Sequence, residues 1–227
     1  MLPFSTQPGK GNQLMAQIMI VDDHPLVRTG FAQLIGDTPD LKVCGEAADM
    51  ANALKLIEST SPDLAIIDLS LAGGSGLDLI EHIKARGSKM LMLVASMHEE
   101  SLYAERVLAA GARGYINKQE AQDKIIQAIR QVLNGKVYLS ELMTERILNN
   151  MVSSSDEKRD IDALSNRELQ VFEMIGQGLA TSKMAAQLNL SIKTIETHQA
   201  HIKKKLNLSS AHELTHRAIR WVLEQGQ

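Results

Sequence analysis

Five short apolar runs, set apart by stretches of helical periodicity, constrain this chain more than any other feature of it. They are "QIMIVDD" (17–23), "LKVCGEA" (41–47), "DLAIIDL" (63–69), "KMLMLVAS" (89–96) and "ARGYINK" (112–118). Near-continuous apolar runs of this length, bounded by Gly, Pro or polar residues, suit strands buried on both faces. Between them "LVRTGFAQLIG", "MANALKLIEST", "LDLIEHIKARG" and "SLYAERVLAAG" place apolar residues at helical steps, and "AQDKIIQAIRQVLNG" closes the series. Five alternations of strand and helix predict right-handed crossovers. The first part is therefore expected to be an α/β unit, a doubly wound, five-stranded parallel sheet with helices on both faces.

The pattern then changes. "LSELMTERILNNMV" predicts a helix that leads into "SSSDEKRD" (153–160), a polar and charged run that reads as a linker. Every later segment is helical. Ser165-Asn166-Arg167-Glu168 forms a capping box ahead of "ELQVFEMIGQG", which Gly176 and Gly178 are expected to close. "TSKMAAQLNL" follows as a short helix and "SIKTIETHQAHIKKKLNL" as a longer one with Ile192, Ile195, Ile202 and Leu206 as its buried stripe. Ser210-Ala211-His212-Glu213 caps a fourth. The expected division is a loose extension over 1–15, the α/β domain over 16–136, a linker including a helix over 137–160, and an all-α four-helix domain over 161–227.

At 227 residues the chain has room for two domains. No apolar run approaches the ~20 residues that a bilayer span requires, so no membrane association is expected. The start does not read as a secretory signal, and the lone Cys44 excludes an intrachain disulfide; both suit a cytoplasmic setting. The net charge of −3 divides unevenly. From Ile161 onward there are eight Lys and Arg against six Asp and Glu, which is +2, and the remainder carries −5. The basic half concentrates Lys203-Lys204-Lys205, a distribution that points toward nucleic acid.

In an open parallel sheet, ligands sit beyond the carboxyl ends of the strands. Polar residues end the apolar runs at that edge: Asp22 and Asp23 after the first, Asp68 after the third, Ser96 after the fourth and Lys118 after the fifth. Three carboxylates in one pocket repel one another and together need a cation. Their hard oxygens favour Mg²⁺ over a soft metal. A lysine and a hydroxyl beside them complete a site for a phosphoryl group carried on a carboxylate. The "GGSG" after Asp68 lacks the Gly-Lys-Ser/Thr of a nucleotide-binding loop and reads as a turn.

These residues, in this order and spacing, resemble the flavodoxin-like receiver domain of two-component response regulators over about 17–135. The resemblance implies that Asp68 accepts a phosphoryl group from a sensor histidine kinase. It further implies Mg²⁺ held by Asp23 directly, by Asp22 largely through water, by Asp68, and by the backbone carbonyl of Ser70. Ser96 becomes the hydroxyl that moves to the phosphoryl oxygens, Tyr115 the aromatic switch and Lys118 the cationic anchor. Ala72 and Gln119 depart from the family pattern, which usually has Pro at the first position and Pro or Asp at the second.

The segment from "LSNRELQVFEMIGQG" to "HQAHIKKKLNL" resembles the helix-turn-helix domain of NarL/FixJ (LuxR-type) regulators, over about 162–221. That likeness starts the recognition helix near Ile192 and presents Lys193, Thr194, Glu196, Thr197 and His198 to double-stranded DNA. Lys193, Lys203 and Lys204 suit phosphate contacts, while Glu196 and Thr197 suit base edges. Together the two resemblances imply a transcriptional regulator that is phosphorylated at Asp68 and forms a homodimer, and that is not an enzyme. Two other readings compete. One is a dimeric transcription factor indifferent to phosphorylation; the other is a Mg²⁺-dependent phosphohydrolase with an aspartyl-phosphate intermediate. The latter usually needs a second acid two residues past the nucleophile, where this chain has Ser70.

Overall fold

A computed structural model describes residues 15–72, 74–152, 161 and 163–225. The expected N-terminal extension (save Met15), Gly73, the polar run 153–160 and Asp162 lie outside them. The strands of the main sheet are β1 (Ala16–Val21), β2 (Leu41–Ala47), β3 (Leu64–Ile67), β6 (Leu91–Ser96) and β7 (Gly114–Asn117). They run parallel in the order β2-β1-β3-β6-β7. The helices between and after them are α1 (Pro25–Gly36), α2 (Met50–Thr60), α3 (Gly76–Ala85), α4 (Glu100–Ala110) and α5 (Gln122–Leu133).

Strand residues alternate between two apolar layers, as a two-sided sheet requires. Ile18, Ile20, Leu64, Ile66 and Leu93 pack with Phe31 and Ile35 of α1 and Ile125 and Ile129 of α5. Met19, Val21, Ala65, Ile67 and Val94 pack with Ala53 of α2, Ile80 of α3 and Val107 of α4 on the opposite face. That second layer does not stop at the sheet domain. It continues through Met143 of α6 (Glu141–Val152) into Leu164, Leu169 and Phe172.

One element escaped the sequence reading. After Asp68 the chain forms a minimal antiparallel hairpin, β4 (Ser70–Leu71) with β5 (Gly74–Ser75), in which Ser70 pairs with Ser75. Ser75 then caps α3 by accepting from the Leu77 N–H.

The C-terminal helices are α7 (Asn166–Gly176), α8 (Thr181–Gln187), α9 (Ile192–Lys205) and α10 (Ala211–Gln225). The capping box at Ser165 is formed in both directions. Two details of the sequence reading are corrected. Helix α7 ends at Gly176 and Gly178 closes it in the left-handed region at φ 77°, as expected, but the C-terminal cap is Gln177 and not Gly176. Gly176 is small because α10 crosses there, and a Cβ would lie 2.5 Å from the Ala218 carbonyl oxygen. Ile192, the first residue of α9, is 51% exposed and not part of the buried stripe; Ile195, Ile202 and Leu206 are buried as expected.

Glu168 ties α7 to α9. Its Oε2 accepts from the Ser165 N–H at 2.7 Å and pairs with Lys205 Nζ at 2.7 Å. Burial opposes its ionisation, but Lys205 and the Ser165 groups outweigh burial and hold the carboxyl below its ordinary 4.5. A folded pKa below the unfolded one contributes stability that is present above 4.5 and lost as pH falls through the folded value. Glu168→Gln is therefore expected to lose about 1 kcal/mol at neutral pH, because half of the pair is exposed and screened. It is also expected to show a flatter loss of stability below pH 4.5. Denaturant unfolding at a series of pH values checks both.

Candidate phosphoryl-acceptor site and nucleic-acid interface

The carboxyl ends of β1, β3 and β7 deliver the expected groups to one place. Asp22 and Asp68 are 2% and 3% exposed. Ligand atoms of Asp22, Asp23, His24 and Asp68 lie within 4.8 Å of one another. Lys118 reaches between them from the end of β7, with Nζ 2.7 Å from Asp22 Oδ2 and 2.8 Å from Asp68 Oδ2, and is itself 5% exposed. Burial raises the Asp68 carboxyl above its ordinary 3.8, and the Asp22 charge adds to this, against the pull of Lys118. Backbone geometry fixes the cluster: Asp68 N–H donates to the Val21 carbonyl at 2.8 Å, and His24 N–H to Asp22 Oδ1 at 2.8 Å.

Two buried carboxylate oxygens, Asp22 Oδ2 and Asp23 Oδ1, have no partner among the described residues beyond one nitrogen of a basic side chain each. Their near neighbours are the ion-pair contacts to Lys118 and to His24 Nδ1, the latter 2.7 Å from Asp23. Buried acceptors left so are costly, and a hard divalent cation would satisfy them. The acidic cluster could hold a metal ion.

The other expected residues sit nearby with definite partners. Ser96 is fully buried and its Oγ accepts from the His98 N–H at 3.3 Å. Tyr115 is fully buried, with its hydroxyl donating to the His98 carbonyl at 2.7 Å. Burial is the main reason its phenol titrates far above the ordinary 10. Ser70 lies in β4, and its Oγ is 3.1 Å from His98 Nε2. His98 itself was not legible in the sequence, since no period or motif marks a single histidine between a strand and a helix.

On α9, Lys193, Glu196, Thr197 and Lys204 are exposed, and Thr194, His198 and Lys203 half-buried. Lys193, Glu196, Thr197 and Lys204 share the face opposite Ile195 and Ile202, as the 3.6-residue period demands. The Thr197 hydroxyl donates to the Lys193 carbonyl at 2.9 Å. Burial lowers the His198 imidazole below its ordinary 6.5. Lys205, held by Glu168, points away from the set. Among the described residues no helix is long and apolar enough to cross a membrane.

Both parts of the chain match known proteins. Residues 18–130 match the response regulator receiver domain, and residues 162–218 match the bacterial regulatory proteins of the luxR family. The nitrate/nitrite response regulator NarL of Escherichia coli K12 is 33% identical over 202 residues, which cover 88% of this chain and 93% of NarL. A crystal structure of a LuxR-family two-component response regulator from Aurantimonas is 36% identical, with a TM-score of 0.57, and covers 61% of this chain and 99% of that one. The RcsB response regulator of Salmonella typhimurium, solved in a study of its DNA interaction, is 26% identical with a TM-score of 0.55 over 89% of this chain and 97% of its own. Receiver sheet, acidic edge and helix-turn-helix thus occur together in one chain, and that chain belongs to the NarL/FixJ family of two-component response regulators.

Proposed function

We propose that the chain is a transcription regulator switched by phosphorylation of Asp68. The observation that carries this is the buried Asp22–Asp68–Lys118 set at the strand tips, on the same chain as an exposed recognition helix. Residues 16–136 would form the receiver, 137–160 the linker with α6, and 161–227 the DNA-binding domain. A sensor histidine kinase would be the donor, double-stranded DNA the target, and a homodimer the DNA-binding form, since paired half-sites mirror protein two-fold symmetry. The setting would be the cytoplasm, and the protein would act as a switch rather than as an enzyme on an external substrate.

An Asp68 carboxylate oxygen attacks phosphorus in line with the departing imidazole nitrogen; the P–N bond breaks as the P–O bond forms, and the imidazole takes up a proton. Mg²⁺, held by Asp22, Asp23, Asp68 and the Ser70 carbonyl, would supply neutralisation of the phosphoryl charge. Lys118 already sits against Asp68 and balances the same charge from the protein side. Ser96 would give its hydroxyl to a phosphoryl oxygen, and Tyr115 would hold the segment after β6 through the His98 carbonyl. At the DNA, Lys193, Lys203 and Lys204 would meet phosphates. Thr194, Glu196, Thr197 and His198 would face the groove.

The test is paired. A small phosphodonor with Mg²⁺ is expected to label wild type and not Asp68→Asn. Beryllofluoride is expected to raise DNA affinity of wild type only. Each phosphate-contacting lysine removed, Lys203→Gln or Lys204→Gln, is expected to reduce the slope of log affinity against log salt by about 0.9. Equal DNA affinity in wild type and Asp68→Asn, with and without beryllofluoride, would favour the phosphorylation-independent reading.

A further inference from the structure

Helix α7 of the DNA-binding domain is buried nearly all round, including its polar residues Gln170 and Glu173. Its polar side is turned to the sheet domain, and two of its residues reach the hairpin that follows Asp68. Arg167 donates from a terminal guanidinium nitrogen to the Gly74 carbonyl of β5 at 2.7 Å. Glu173 acts through His98: its Oε2 is 3.5 Å from His98 Nδ1, while His98 Nε2 meets Ser70 Oγ in β4 at 3.1 Å. Tyr103 of α4 fixes that bridge, donating its hydroxyl to the same Glu173 oxygen at 2.9 Å and lying 5.0 Å from the His98 ring. Both strands of the hairpin are therefore held from the other domain.

We propose that α7 is a clamp on the phosphoryl-acceptor loop, in which Arg167 and Glu173 are positioning residues that set the reactivity of Asp68. This rests on Asp68 being the acceptor. The loop has reason to need an external hold. It has Ala72 where the family usually has a proline, and its hairpin is only two residues long on each side. A pair of strands this short has little stability of its own. With the clamp engaged, Ser70 and His98 bridge beside a strand tip where Asp68 is almost shut from solvent. With it released, the hairpin opens and both donor and water gain access. Coupling is reciprocal, so whatever phosphorylation does to the hairpin weighs equally on the seating of α7.

The experiment uses the full chain, loaded with a small phosphodonor in Mg²⁺, and follows labelling rate and acyl-phosphate half-life. Arg167→Ala and Glu173→Ala are each expected to speed labelling and shorten the half-life by about two- to thirtyfold. General damage to the fold would slow labelling instead. Glu173→Ala is expected to have no further effect in a His98→Ala background, because the two act in series. Arg167→Lys keeps a donor and is expected to restore most of the wild-type half-life, which preserves the test where the alanine variant folds poorly. Wild-type rates in both alanine variants overturn the clamp, as does an equal effect of Glu173→Ala with and without His98. Absence of labelling in folded wild type overturns the acceptor reading itself, and the clamp falls with it.

Discussion

Lys118→Met, unfolded by denaturant in the presence of EDTA, is expected to lose about 3–5 kcal/mol, the cost of leaving a buried charge pair without its partner. Asp22 and Asp68 are both nearly fully buried, and Lys118 is the cation that touches each. Without it two carboxylates face each other in a poorly solvated pocket. Mg²⁺ is expected to return a large part of the loss, since a cation bound only by the folded state stabilises it by mass action. Asp68→Asn is expected to shift stability the other way. Burial holds the Asp68 pKa above its ordinary 3.8, so the folded state keeps that proton more tightly than the unfolded chain. The associated stability is present below 3.8 and lost as pH rises through the folded value, so at neutral pH the ionised group is a burden. Asn keeps the shape without the charge, and in EDTA this variant should melt above wild type. A Lys118→Met protein as stable as wild type in EDTA would show that the charge balance has been misjudged.

The acidic edge was legible because each of its residues ends an apolar run: residues 18–21 ahead of Asp22 and Leu64–Ile67 ahead of Asp68 carry no polar side chain. The β2 run matched its strand residue for residue, whereas "DLAIIDL" extends beyond Leu64–Ile67 at both ends. Hydropathy marks where burial stops, and Leu69 stays fully buried after the ladder has ended. Contacts between the domains were not legible. Arg167 and Gly74 are 93 residues apart, and Glu173 and Tyr103 are 70 apart. No local period encodes such pairs. The hairpin of β4 and β5 is too short for a two-residue alternation to register. Ile192 shows a different failure. It falls on the apolar stripe by phase, yet it is the first residue of the helix and stays half exposed.

Gly76→Ala is expected to damage the site more than any other single-methyl change in the sheet domain. Gly76 opens α3 and is buried, with its N–H donating to the Leu69 carbonyl at 2.9 Å. A Cβ there would collide with the Asp68 carbonyl oxygen, and would lie 2.8 Å from the Asp68 carbonyl carbon and 3.1 Å from Ile67 Cγ2. The obstacle is backbone, so a side-chain rotation cannot relieve it. Either α3 retreats or the peptide carrying the acceptor carboxylate moves. Overpacking of this kind costs about 1–3 kcal/mol. A displacement of about 1 Å at a reacting group costs on the order of 100-fold in rate. The labelling rate of Asp68 should thus fall far more than stability predicts. Gly74 supplies the control, since a Cβ there meets nothing within 4 Å. Gly74→Ala keeps the carbonyl that Arg167 binds, and is expected to label near the wild-type rate. Near-equal rates for the two variants, both folded by circular dichroism, would show that the close approach of α3 does not position Asp68.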